Sequence, residues 1–320
     1  MVKIVVVGAG GMSNVHLDNY NYIENAQVIA LVGKSEIDKS VAKKRNLKFY
    51  ESLDDAINSE SFDIVDVTTP TFTHYDLVKK ALLNSKSVIC EKPFTLKPDR
   101  AQELFDFAKK QNCFVYVGQV VRFAKETQKL KEAFEDLRFG KVLDAQFNRL
   151  SSYPSWIQND WLKDKSKSGL VPFDLHIHDL DLIISIFGNP KDYQLYKNGR
   201  ENIGYSEFYR FTYFYDNFQI LSQASWYNST MPFTNNWRVV FENAVMVFDG
   251  NSLKAYPKDG DIIEYDISDE VVIPTSTNLP PTGWFYNELS NFVNNFENNK
   301  PSDIVINEQV LSVLKLLNKF

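Results

Sequence analysis

Two short stretches carry side chains whose types and spacing can do chemistry. The first is Glu91-Lys92-Pro93, which directly follows the apolar run Ser87 to Cys90. A lysine delivered at a strand end can hydrogen-bond a substrate hydroxyl and favour alkoxide character as a hydride leaves the carbon. It can equally be half of a surface ion pair. The second is Asp174-Leu175-His176-Ile177-His178-Asp179, which contains two of the 4 histidines of the chain. On a helix Asp174 and His178 stand at i and i+4 and share a face, while His176 turns away. Histidine has the right pKa to take a hydroxyl proton, and a carboxylate one turn earlier can orient it. Two further readings stay open: the histidines cap or bridge helices, or, were this a strand, His-x-His ligates a metal. The helical period and the want of a third convincing ligand weigh against metal, and none is expected.

A third feature supplies a partner for that chemistry. Gly8-Ala9-Gly10-Gly11-Met12-Ser13 follows the β-branched run Val2 to Val7 and opens a helix-period stretch. Glycines suit a tight turn whose backbone approaches a pyrophosphate, with the charge met by N–H groups at a helix start. A lone G-x-G is weak, but regular β/α alternation after it makes Gly8, Gly10, Gly11 and Met12 a candidate dinucleotide site. The second run, Gln27 to Val32, ends in Gly33-Lys34-Ser35, with no acid where NAD-specific domains place one. Lys34 offers charge and Ser35 a donor to a 2′-phosphate, which favours NADP(H), with NAD(H) possible; in the alternative Lys34 is merely solvated and Glu36 serves the ribose. Thr68-Thr69-Pro70 ends the run Asp63 to Thr68 at the carboxyl edge, where hydroxyls and a rigid turn can line the nicotinamide side. Glu91 and His74 are counted on the same cofactor side, His74 as either a contact or a surface residue.

The elements that must position these groups follow from periodicity. Strand-like runs at Val2 to Val7, Gln27 to Val32, Asp63 to Thr68, Ser87 to Cys90 and Phe114 to Val117 alternate with helix-period stretches such as His74 to Leu83 and Asp99 to Lys110. That alternation predicts a parallel sheet. After Gly118 the pattern predicts a helix from Arg122 to Leu137, a strand from Val142 to Ser152, a Trp-containing polar segment and a helix from Phe173 to Phe187. From Asp192 to Asp266, strands separated by turns at Asn217, Asn243, Asp249-Gly250 and Asp259-Gly260 predict an antiparallel sheet. Gly283 to Asn298 and Asn307 to Phe320 close the chain as helices. The fold class is therefore α/β: an N-terminal Rossmann parallel sheet (residues 1–119), then a C-terminal α+β domain on an open, mainly antiparallel sheet (residues 120–320).

Composition narrows the partners. A hydrophobic fraction of 44% and a charged fraction of 24% are ordinary for a folded chain, and no apolar run is long enough for a bilayer. A formal charge of −6 with no basic block excludes a nucleic-acid footprint. Cys90 and Cys113 form no C-x-x-C pair, and with no targeting pattern at the start the expectation is a cytoplasmic protein.

The combination resembles the glucose–fructose oxidoreductase, inositol dehydrogenase and rhizopine-catabolism (Gfo/Idh/MocA) family, through Gly8 to Met12, Thr69-Pro70 with His74, Glu91-Lys92-Pro93, and Ser168-Gly169 leading to Asp174, His178 and Asp179. The resemblance implies hydride transfer between NAD(P) and a sugar, polyol or related hydroxyl/carbonyl compound. By motif position Lys92 resembles the catalytic lysine, His178 the acid/base and Asp174 its orienting partner, so that both domains contribute to one site. Gln119, Arg122 and Trp161 occupy regions that often line the substrate pocket in such proteins. The C-terminal sheet often forms the oligomer interface, which implies a homodimer or homotetramer. Ser13 departs from the fingerprint's third glycine, and Leu170 stands where relatives often carry a second glycine. Some transcriptional co-repressors share the fold, so the alternative is a non-catalytic dinucleotide-binding regulator.

Overall fold

Strands that are apolar at successive positions must be covered on both faces. In the computed structural model, which describes residues 1–154, 158–275 and 280–320, this is what the first unit does. Its elements are β1 (Val2–Val7), α1 (Gly11–Tyr20), β2 (Ala26–Val32), α2 (Glu36–Lys44), β3 (Lys48–Tyr50), α3 (Leu53–Ser59), β4 (Ile64–Val67), α4 (His74–Leu83), β5 (Ser87–Glu91), α5 (Pro98–Lys110) and β6 (Val115–Gly118). The strands pair in the order β3-β2-β1-β4-β5-β6, all parallel. Order reverses between β1 and β4, and open α/β sheets bind ligands outside the carboxyl ends of such a switch point. Every residue of β4 and β5 is buried. Among them is Asp66, an acid in the middle of an apolar strand.

The second unit comprises α6 (Lys125–Glu135), β7 (Val142–Ser152), α7 (Lys165–Ser168), α8 (Ile177–Phe187), β8 (Asp192–Asn198), β9 (Phe208–Phe214), β10 (Gln219–Tyr227), β11 (Thr234–Phe241), β12 (Ala244–Phe248), β13 (Leu253–Pro257) and β14 (Ile263–Tyr265). Its eight strands run β14-β13-β12-β11-β7-β10-β9-β8. All neighbours are antiparallel except the central pair β7 and β10, which is parallel. Burial alternates along β7 and β9 to β12, so one face is core and the other carries a ladder of amides and charges. In that ladder Asn148 accepts from Gln223 and donates to Asn236, and Arg238 reaches Asp144.

The chain closes with α9 (Trp284–Glu297) and α10 (Asn307–Leu317). Packing does not divide at residue 119: Met1–Phe123 is joined by Asp269–Leu311, and Ala124–Ser268 by Ser312–Phe320. The reason is the apolar stripe of α9, whose Phe292 stacks on Tyr116 at 5.3 Å and meets Phe123 edge-on at 5.9 Å.

Two predicted helices are also revised. Arg122 lies in a tight turn, Val120–Phe123, before α6 begins. Pro172–His176 forms a wide, π-type turn leading into α8. A step of four residues falls short of one revolution in such a turn, so Asp174 and His178 do not share a regular α-helical face. Among the described residues no helix is long and apolar enough to cross a membrane.

Candidate active site

The loops that end β1, β4, β5 and β6 meet at one edge of the parallel sheet, because Val7 pairs with Val67, Val67 with Cys90 and Glu91 with Gly118. At the switch point Gly8 has φ +110°, and a Cβ there would stand 3.1 Å from Thr68 Oγ1 and 3.2 Å from Thr69 Cγ2. Glycine is required at this close approach. A Cβ on Gly10 would meet nothing within 4 Å, which leaves space over the start of α1. That helix start has neither a side-chain cap nor an acid in its first turn, so its N–H groups are available to an anion. Ser13, fully buried, donates its hydroxyl to the Gly8 carbonyl at 2.6 Å and so fits the position of the third glycine. Gly10, Gly11 and Met12 are exposed or half-buried over the same turn. Thr68 Oγ1 donates to the Val7 carbonyl, Thr73 to the Pro70 carbonyl, and Thr69 therefore to Thr73.

At the β2–α2 corner, Lys34 and Ser35 are exposed. Ser35 caps α2 by accepting from Asp38 N. Asp38 reaches back so that its Oδ2 accepts from Lys34 N at 2.8 Å and Ser35 N at 2.9 Å. The acid missing from the strand end is thus present on the helix, but committed to backbone.

Lys92 is bracketed by two histidines. On one side Glu91 Oε2 accepts the Lys92 backbone N–H at 3.1 Å, and Glu91 Oε1 lies 3.0 Å from His16 Nε2. On the other side His74, buried, places Nδ1 2.9 Å from the Pro93 carbonyl and Nε2 2.8 Å from the Thr69 carbonyl. Burial pushes His74 below the ordinary histidine range, so its ring is neutral at pH 7 and donates to one carbonyl at a time. His74 is therefore neither a surface residue nor open to a ligand through its ring nitrogens: it clips the Thr69 turn to the Pro93 turn.

His16 drew no attention from sequence alone. Its Nδ1 lies 2.8 Å from Asp66 Oδ2, which also receives the Tyr20 hydroxyl at 2.9 Å. Burial works against a charge here, but Asp66 and then Glu91 outweigh it and hold His16 well above the ordinary histidine range. Glu91 is pushed up by burial and pulled down further by its bond to His16, so it sits below the usual carboxylate range. The signal in the sequence was Asp66 itself, because a buried acid demands a partner.

Gln119, next after β6, is 2% exposed, and neither end of its amide has a hydrogen-bond partner among the described residues. Such a group at the carboxyl edge is suited to a ligand amide. Arg122, by contrast, is buried with Nη1 on the Ile304 carbonyl at 2.9 Å and on Gln309 Oε1 at 2.5 Å, which ties it to the closing segment.

In the second unit Asp174, His178 and Trp161 are half-buried. His176 belongs to the core: its ring stacks on Phe211 at 3.8 Å, and its nitrogens meet Tyr213 Oη at 2.6 Å and Ser222 Oγ at 3.3 Å. Burial, assisted by the Arg149 charge, drives it down to about 3. Arg149 in turn holds Asp179 through two bonds to Oδ1, at 2.8 and 3.1 Å. Gly169 has φ +73° against the Phe173 ring, and Leu170 follows at φ +61°, buried. A left-handed residue after Ser-Gly explains why a second glycine suits that position. Among the described residues no three His, Cys, Asp or Glu side chains are grouped to hold a metal ion.

Strand order, the switch point between β1 and β4 and the glycine turn before an uncapped helix define a dinucleotide-binding Rossmann domain, and the residues present fit such a cofactor. The model of an oxidoreductase family with an NAD-binding Rossmann fold, GFO/IDH/MocA, matches residues 2–119, and that of the GFO/IDH/MocA C-terminal domain matches residues 127–247. The chain belongs to the GFO/IDH/MocA family. It is 34% identical over 153 residues to an uncharacterized oxidoreductase of Schizosaccharomyces pombe, covering 48% of this chain and 41% of that one. With the myo-inositol 2-dehydrogenase of Thermotoga maritima it shares 29% identity over 190 residues, 58% of this chain and 55% of the relative. The chain thus spans about half the length of the curated relatives it matches. An oxidoreductase from Agrobacterium radiobacter, solved with NAD+, L-tartaric acid and magnesium, has the same fold at a TM-score of 0.86 and 16% identity, over 99% of this chain and 94% of that one.

Proposed function

We propose that this protein is an NAD(P)-dependent dehydrogenase or reductase acting on a CH–OH group of a sugar, polyol or related compound. The observation that carries the reading is Lys92 at the tip of β5, on the same sheet edge as the Gly8 cradle, with its backbone N–H held by Glu91. The family and the inositol dehydrogenase among its relatives support the substrate class.

A bound nicotinamide dinucleotide would supply the hydride acceptor or donor. Gly8, Gly10, Gly11 and Met12 would hold its pyrophosphate, with Thr68, Thr69 and Pro70 beside them; His74 and Glu91 would act by fixing the neighbouring turns. Lys92 would hydrogen-bond the substrate oxygen and stabilise negative charge developing there, His178 would accept the hydroxyl proton, and Asp174 would tune His178. Gln119 and Trp161 would contact substrate or nicotinamide, and Arg122 would support the edge from behind.

The cofactor preference we favour is NADP(H), on the exposed Lys34 and Ser35 and on Asp38 being occupied by backbone. Self-association through the amide-bearing face of the C-terminal sheet, as homodimer or homotetramer, and a cytoplasmic setting for the free thiols Cys90 and Cys113 complete the proposal.

The test is turnover of a panel of sugars and polyols with both cofactors, followed by nicotinamide absorbance. Lys92→Met and His178→Asn should each lower kcat by about 100-fold or more while cofactor binding stays measurable. Near-normal turnover in both overturns the assignment. Tight cofactor binding with no turnover anywhere in the panel favours a regulator instead.

A further inference from the structure

The first unit holds a charged cluster of which the proposed chemistry uses Glu91 alone. His16 is fully buried, and both of its ring nitrogens face carboxylate oxygens, Asp66 Oδ2 at 2.8 Å and Glu91 Oε1 at 3.0 Å. Ionised carboxylates only accept, so this geometry is satisfied by a ring that donates from both nitrogens. The remaining oxygen of Glu91 receives the Lys92 backbone N–H. A continuous chain of bonds therefore runs from Tyr20 through Asp66, His16 and Glu91 to the first atom of Lys92. It begins on the helix whose start forms the cofactor cradle.

We propose that His16 is a positioning residue for Lys92: its imidazolium, clamped between Asp66 and Glu91, fixes the carboxylate that holds the Lys92 backbone. The inference rests on the reading of Lys92 given above. Without the imidazolium, Glu91 is a buried carboxylate whose orientation is no longer set, and two buried acids face each other with no cation between them. The charged groups acting on His16 are Asp66 on β4 and Glu91 at the end of β5, with the rings of Tyr20 on its own helix at 6.4 Å and Phe285 on α9 at 6.2 Å; Glu288 on α9 acts on Tyr20, the Lys92 charge on Glu91, and the buried Cys90 thiol feels both carboxylates. His74 feels the Glu91 charge from the other side. The bond to His16 and its charge are the largest influences offsetting the burial of Glu91, ahead of the Lys92 charge and backbone N–H, so loss of His16 moves Glu91 toward protonation.

The experiment uses the full chain and four proteins: wild type, His16→Asn, Glu91→Gln and the double variant, with Lys92→Met as reference. In wild type, 15N NMR of the His16 ring should show both nitrogens protonated at pH 8, a readout that needs no turnover. In His16→Asn, kcat should fall about 10- to 100-fold with little change in KM for cofactor. Its acid limb should move up by about one pH unit, because Glu91 without its cation protonates at a higher pH than in wild type. Glu91→Gln keeps the shape of the link and should reproduce the loss of kcat, and the double variant should be no worse than either single one. If His16→Asn fails to fold, Glu91→Gln carries the kinetic test. A His16 ring that titrates as an ordinary neutral histidine overturns the proposal. So does a folded variant with wild-type kcat and pH profile, or a loss shared equally by kcat and cofactor affinity with an unmoved profile. If Lys92→Met keeps turnover, the reading of Lys92 has failed and the positioning role falls with it; if Lys92→Met is inactive and His16→Asn is not, the positioning role alone has failed.

Discussion

His16 and His176 are both 0% exposed, each engages both ring nitrogens, and yet they titrate in opposite directions. His16 lies between two carboxylates. His176 lies in an aromatic stack with two hydroxyls and the Arg149 charge nearby. Burial alone disfavours charge in both, so neighbours decide the outcome. Tyr213, its phenol raised by burial, stays protonated and donates to His176 Nε2, which leaves Nδ1–H to Ser222. A neutral imidazole satisfies that arrangement fully. The same residue type is thus a fixed cation in the unit that carries the cofactor cradle and an apolar packing element in the unit that carries Asp174 and His178.

The largest expected effect is on the charged side. His16→Asn should destabilise the first unit by about 3–5 kcal/mol at pH 7, because it leaves two carboxylates buried without their cation. The sign follows from linkage: His16 has a raised folded pKa, so its contribution is full below the ordinary histidine value and is lost as pH rises through the folded one. The gap between wild type and variant in urea unfolding should therefore close at alkaline pH. A constant gap would mean that the ring contributes packing rather than charge.

His176 should behave in reverse. Its folded pKa of about 3 lies below the ordinary histidine value of 6.5, so the unfolded chain takes up a proton first and stability is lost as pH falls between those values. His176→Phe removes that liability. It should cost about 1–3 kcal/mol at pH 7, where the Tyr213 and Ser222 hydroxyls lose a partner. By pH 4 it should be relatively more favourable by about 3 kcal/mol, so the two stability curves approach or cross. Trp226 and Trp237, buried in the same sheet, report unfolding of this unit by fluorescence. Parallel curves would remove the contrast with His16.

How much of this was legible beforehand depended on range. β1, α4 and β7 end where periodicity and turn residues place them, because those signals are local. β3 is only 3 residues long and shows no alternation to read. Lys92 could be placed at the sheet edge from its strand alone. His16, Asp66 and Glu91 lie 50 and 75 positions apart, and only the β1-β4-β5 order brings them together. Asp66 within Ile64–Val67 announced that a partner existed, but nothing in its spacing said which. Likewise nothing in the residue pattern marks the wide turn at Pro172–His176, so the i, i+4 relation of Asp174 and His178 was only half visible.

The smallest effect separates charge from packing on a single helix. Ser13 stands one turn before His16 on α1, is equally buried, and donates to the Gly8 carbonyl at 2.6 Å. Ser13→Ala keeps helix propensity and removes one neutral hydrogen bond, so it should cost about 1 kcal/mol. Unlike His16→Asn, that cost should be the same from pH 6 to pH 9, since no proton is gained or lost. Because the bond sits under the Gly8 turn, Ser13→Ala should weaken dinucleotide binding more than it lowers kcat, the reverse of the His16 pattern. Fluorescence titration with cofactor and urea unfolding at three pH values measure both. A pH-dependent loss in Ser13→Ala would show that the His16 cluster senses helix position as well as charge, and would blur the line drawn between the two.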